Sequence, residues 1–177
     1  MSDRYVFDLD NTLIMTDELN NISYNYALAQ FGLHTIETST RITRSTVLAN
    51  YPNLADSQRE KIIELKQRYF IENINLTSLN MRLTKILQSK EAAHCILWTN
   101  ADKKRVDALL RLYDLEKYFA NIVYSEKLML GHDINEICEY FDCAPASLLF
   151  FEDDAKIIEE LKALGQKVFA SNLPDLL

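Results

Sequence analysis

The chain has 177 residues, 48% of them hydrophobic and 25% charged, which is the length and make-up of one globular domain with room for an insertion. Its net charge of −7 argues against nonspecific binding to a nucleic-acid polymer or an acidic membrane surface, both of which want a basic face, while leaving room for a small anionic substrate at a locally positive site. No apolar stretch is long enough to span a membrane, and the three cysteines (Cys95, Cys138 and Cys143) form no C-x-x-C pair and are too odd in number for a disulfide framework.

The first predicted element is Tyr5-Val6-Phe7, a short β-prone apolar run that stops at Asp8-Leu9-Asp10-Asn11-Thr12. It is too short for a signal peptide, so the expected location is the cytoplasm, with the cysteines reduced and buried. From about residue 16 to 90 the pattern is helical. One helix starts at Thr16 or Asp17 and stops at Gly32, a second covers about 38–50, a third about 56–72 and a fourth about 77–90. From Ala92 the texture alternates. His94-Cys95-Ile96-Leu97-Trp98 is a strand ending in Thr99-Asn100, followed by a helix over about 102–113. Asn121-Ile122-Val123-Tyr124 is a strand, followed by a helix over about 132–141. Leu148-Leu149-Phe150-Phe151 is a strand ending in Glu152-Asp153-Asp154, followed by a helix to Gly165 and a last strand at Lys167-Val168-Phe169-Ala170.

Strand alternating with helix predicts an α/β fold with a Rossmann-like parallel sheet. A parallel crossover needs about a dozen residues, far fewer than separate Leu13 from Ala92. The expected organisation is therefore a catalytic core of residues 1–14 and 91–177, with residues 15–90 as an inserted α-helical cap. An insertion just after Asp10 is placed to act as a lid that excludes water and selects substrate.

Three apolar strands end in reactive polar residues: Asp8 and Asp10, Thr99 and Asn100, Glu152 and Asp153. In a parallel sheet such ends share one edge, where ligands bind. Two close carboxylates repel unless a cation compensates, and a hard oxygen-seeking ion such as Mg2+ does so. An Asp-rich turn explains any one of these ends, but explains all three less well.

The arrangement resembles the haloacid dehalogenase-like (HAD) hydrolase superfamily over nearly the whole chain. The D-x-D-x-T motif is matched by Asp8-Leu9-Asp10-Asn11-Thr12, the Thr-ended strand by Thr99, and the paired-acid strand by Glu152-Asp153. The resemblance implies a phosphatase of a small phosphorylated metabolite. In it Asp8 is the nucleophile that forms an aspartyl-phosphate, and Asp10 is the acid that protonates the leaving oxygen and then activates water. Asp10 also favours phosphate-ester over carbon–halogen chemistry. Mg2+ is implied on the Asp8 carboxylate, the Asp10 backbone carbonyl and Asp153, with Glu152 in support and Asp154 able to share that work. Thr99 is implied to hold a phosphoryl oxygen, with Asn11 and Asn100 beside it. The family's lysine is best matched by Lys127, although Leu128 stands where a proline often follows it.

Leu97-Trp98-Thr99-Asn100-Ala101 also looks like the second motif of the pyrimidine 5′-nucleotidase branch, which makes a nucleoside 5′-monophosphate one candidate substrate and leaves sugar phosphates open. A sugar phosphomutase and a non-catalytic binding or regulatory member of the fold are the alternatives. Other expected partners are excluded: no nucleic-acid polymer and no membrane, with a monomer or homodimer as the assembly. Tyr24, Tyr26, Arg41 and Arg44 of the insertion, and Trp98, rank below these residues as site candidates.

Overall fold

The computed structural model describes residues 3–171. The chain divides into two compact units, Met1–Ile14 with Leu79–Leu177, and Met15–Ser78.

The first unit is a five-stranded parallel sheet. Its strands are β1 (Arg4–Phe7), β4 (Cys95–Thr99), β5 (Asn121–Tyr124), β6 (Leu148–Glu152) and β7 (Lys167–Ala170), in the order β5-β4-β1-β6-β7. β1 is central. Tyr5, Val6 and Phe7 lie beside Cys95, Ile96 and Leu97 on one side and beside Leu149, Phe150 and Phe151 on the other. Strands buried on both faces read as unbroken apolar runs rather than alternating ones, which is how β1, β4 and β6 read.

The helices of this unit are α4 (Met81–Gln88), α5 (Lys103–Leu112), α6 (Leu130–Phe141) and α7 (Ala155–Ala163). Their starts follow capping chemistry. Asn80, Asp102 and Asp154 each accept a backbone N–H of the first turn. α4, read from the sequence as the last helix of the insertion, groups with the sheet unit. Asn80 ties its start to the loop after β1: its N–H donates to the Leu13 carbonyl (2.8 Å) and its Nδ2 to that of Thr12 (3.0 Å).

On one sheet face Val6, Ile96, Trp98, Val123 and Phe150 pack with Ile134, Ile137 and Phe141 of α6 and Leu161 of α7. Phe7 and Phe151 stack with ring centroids 4.5 Å apart. Each such fully buried large side chain stabilises the fold by about 1.5–3 kcal/mol.

The second unit holds α1 (Asp17–Ala29), α2 (Arg44–Asn50) and α3 (Asp56–Glu72). Its core is Tyr24, Ala27, Leu28, Ile36, Ile42, Val47, Leu54 and Ile62. Tyr26 stacks on Tyr69 at 4.2 Å, and Arg41 pairs with Asp17 at 2.6 Å, so these residues hold the insertion together internally. α2 is shorter than the periodicity predicts, because residues 33–43 are irregular. Three asparagines of α1 hold that segment. Asn20 donates to the Ile42 carbonyl, Asn21 brackets Thr40 and Ile42, and Asn25 both donates to and accepts from Ile36. Two-residue strands, β2 (Ile14–Met15) and β3 (Ser78–Leu79), pair with each other. No helix among the described residues is long and apolar enough to cross a membrane.

Candidate active site

The carboxyl ends of β1, β4 and β6 define the candidate site. β1 ends at Phe7, and the Asp8 N–H still donates to the Phe151 carbonyl (3.0 Å), so Asp8 is fixed at the strand end. The turn that follows is tight. Leu13 and Ile14 both donate to the Leu9 carbonyl, and Asn11 takes φ 57, a left-handed conformation that asparagine tolerates better than most residues.

Asp8 is 5% exposed, and its Oδ1 accepts from the Lys127 ammonium at 2.6 Å. The same ammonium donates to Glu152 Oε2 at 2.7 Å. The other Glu152 oxygen accepts the backbone N–H groups of Asp153 and Asp154 at 3.0 and 3.1 Å, which fixes the carboxylate against the turn after β6. Asp153 accepts from the Thr12 hydroxyl at 3.2 Å, joining the ends of β1 and β6. Four residues expected in the site, Asp8, Lys127, Glu152 and Asp153, are thus brought together.

Asp10 pairs with Arg105 of α5, a residue the sequence reading did not single out. Thr99 is buried, and its hydroxyl accepts the Ala101 N–H at 3.1 Å. Asn100 is exposed, and Asp154 is the N-cap of α7. The structure therefore gives Asp154 a helix-capping contact.

The charges are out of balance. Asp8, Glu152 and Asp153 offer carboxylate oxygens within 4.8 Å of one another, with the Lys127 ammonium bonded to two of them. Burial pushes the Asp8 carboxyl up to about 7, with Lys127 opposing and Glu152 and Asp10 adding to the rise. Burial also pushes Asp153 up to about 8, with Asp8 and Glu152 adding to it and the Thr12 bond opposing. Burial alone would lower Lys127; the two carboxylates more than reverse this and hold it as the ammonium. A cluster with this excess of hard oxygen donors and raised carboxyls fits a divalent cation such as Mg2+.

Arg105 and Asp133 carry charge on buried helix faces, four residues before Leu109 and Ile137 respectively. A charged residue in register with an apolar stripe was the available signal for both.

Known proteins resemble the chain in sequence and in fold. The chain is 24% identical over 174 residues to a phosphorylated carbohydrates phosphatase of Thermotoga maritima, an alignment covering 90% of this chain and 80% of that protein. A predicted phosphoglycolate phosphatase from Haemophilus somnus 129PT has the same fold, with a TM-score of 0.81 at 18% identity over 98% of this chain and 89% of that one. A HAD-superfamily hydrolase of subfamily IA from Geobacter sulfurreducens PCA gives 0.70 at 17% identity, over 98% and 89%. Residues 5–171 match the family model described as haloacid dehalogenase-like hydrolase, and the chain belongs to that family.

Proposed function

We propose that this hydrolase cleaves the phosphate monoester of a small phosphorylated metabolite by way of an aspartyl-phosphate on Asp8. The observation that carries the reading is the Lys127 ammonium bonded at once to Asp8 and Glu152, beside Asp153. A carboxylate nucleophile needs a cation to let a phosphate dianion approach it, and that cation is already seated.

In this reading an Asp8 oxygen attacks phosphorus and the ester P–O bond breaks. Asp10, once released from Arg105 and protonated, gives its proton to the departing alkoxide. Asp10, now a carboxylate, takes a proton from water, whose oxygen attacks the acyl phosphate, releasing inorganic phosphate and restoring Asp8. Lys127 and Thr99 hold phosphoryl oxygens, with Asn11 and Asn100 at the turns beside them. Asp8 and Asp153, with the Asp10 carbonyl, would hold Mg2+, and Glu152 would support them through its bonds to the turn. Bound there, the ion supplies charge neutralisation and Lewis-acid polarisation of the phosphoryl group.

Sugar phosphates, 2-phosphoglycolate and nucleoside 5′-monophosphates are the substrate classes to compare. The first two are supported by the names of the relatives and the third by the Trp98-Thr99-Asn100-Ala101 run. The test is hydrolysis of p-nitrophenyl phosphate and this panel, with Mg2+ and with EDTA, beside Asp8→Asn. Expected is phosphate release that needs the metal and is lost in Asp8→Asn. Turnover that survives in Asp8→Asn would overturn the aspartyl-phosphate route. Phosphoryl return to a sugar in place of phosphate release would replace the hydrolase with a mutase.

A further inference from the structure

We infer that Asp133 is the positioning residue for Lys127, holding both the turn that carries it and the ring against which its ammonium lies. The inference rests on the reading of Lys127 as the cation paired with nucleophile and phosphate. Asp133 lies in the first turn of α6 and is 6% exposed. One of its oxygens, Oδ2, accepts from the Trp98 indole N–H at 3.1 Å and from the Ser125 hydroxyl at 2.5 Å.

Each of those donors leads to Lys127, at opposite ends of the residue. The Lys127 backbone N–H donates to Ser125 Oγ at 2.9 Å. A backbone N–H can only donate, so Ser125 accepts it and turns its own hydrogen to Asp133. The direction of the relay is thereby fixed. At the other end, Lys127 Nζ lies 4.1 Å from the Trp98 ring centroid, in the range of a cation–π contact. The indole that forms this floor is held at its N–H by the same carboxylate oxygen. Asp133 thus holds the turn from which Lys127 springs and the ring on which its ammonium rests. From there the ammonium reaches Asp8 and Glu152.

The backbone explains why such a device is needed. Lys127 has φ 56, which a non-glycine residue adopts only when its surroundings hold it there. A proline at the next position would push Lys127 towards extended backbone. Leu128 permits the left-handed turn, and Ser125 and Asp133 hold it.

The test uses the full chain with Mg2+ and p-nitrophenyl phosphate, assayed well below each variant's melting temperature. Asp133→Ala should lower kcat by roughly 10- to 100-fold, the scale of a misplaced charged group, with KM moving less than about threefold. Asp133→Asn, whose carbonyl oxygen still accepts, should recover most of that loss. Ser125→Ala should lose activity and Ser125→Thr regain it. If Asp133→Ala does not fold, Ser125→Ala and Trp98→Phe test the two arms separately, and full kcat in both overturns the inference. A second readout needs no turnover. Trp98 is the chain's one tryptophan, so its emission reports the indole directly. Asp133→Ala and Lys127→Met should each shift it. Emission unchanged in both variants, or full kcat in a folded Asp133→Ala, sinks the idea. Wild-type protein with no phosphatase turnover but with both emission shifts refutes the hydrolase reading and leaves the Asp133 contact standing.

Discussion

The two units solve the same problem, a polar side chain taken out of water, in opposite ways. In the insertion, Asn20, Asn21 and Asn25 meet backbone groups of the loop beside them, and most of the amide atoms find a neutral partner. In the sheet unit Asp8, Glu152 and Asp153 crowd together, and two of them are pushed to about 7 and about 8. Satisfied neutral pairs build structure; a cluster that stays unbalanced builds a site. The buried Lys66 of α3 is a charge put to structural use. It lies against the rings of Tyr24 and Phe70, at 5.0 and 5.6 Å, and stitches helix to helix.

That contrast is sharpest at Asp8. Asp8→Asn should lower kcat on the order of 10⁴-fold or more, as loss of a nucleophile does, while the melting temperature of the metal-free protein stays level or rises. A fall in melting temperature would mean that the carboxylate serves stability, as the asparagines do. Lys127→Met should follow, costing about 3–5 kcal/mol of stability by leaving two buried carboxylates without their cation, measured by urea unfolding, together with most of the activity. Addition of Mg2+ should then stabilise wild-type protein by about 2.7 kcal/mol at a hundred times its Kd, and Asp153→Asn should lose most of that gain. The smallest effect belongs to the insertion. Asn25→Ala should cost about 1–2 kcal/mol for the Ile36 contacts and leave kcat on p-nitrophenyl phosphate within about threefold.

The strand ends were legible in the sequence because an apolar run that breaks at Asp8, Thr99 or Glu152 announces both the strand and its edge. The order of those ends was enough to place β1 in the sheet with β4 and β6. What stayed hidden was carried on helices. Asp133 and Arg105 stand in register with apolar stripes, but their use is unread until the partner is known: Trp98 and Ser125 for one, Asp10 for the other. Periodicity reports that a helix has a buried stripe, and it cannot report that a charge in that stripe has something to meet. The grouping of α4 was hidden for the same reason, since its ties to Thr12 and Leu13 run through Asn80, a residue that reads only as a cap. The irregular stretch before α2 was read as helix because the side-chain amides that hold it lie in another element.

The central place of β1 has a consequence for synthesis. Val6 lies between Ile96 and Phe150, so the strand bearing Asp8 cannot find its second neighbour until Phe150 has left the ribosome. The nascent chain must carry its first strand unpaired until β4 is made, and with one edge open until β6 follows. Contacts this far apart in sequence make folding slow, and an exposed strand edge is a template for aggregation in the interval. Lowering the temperature during expression, or supplying a chaperone that shields apolar strands, should therefore raise the yield of folded protein more than any change to the surface of the finished molecule.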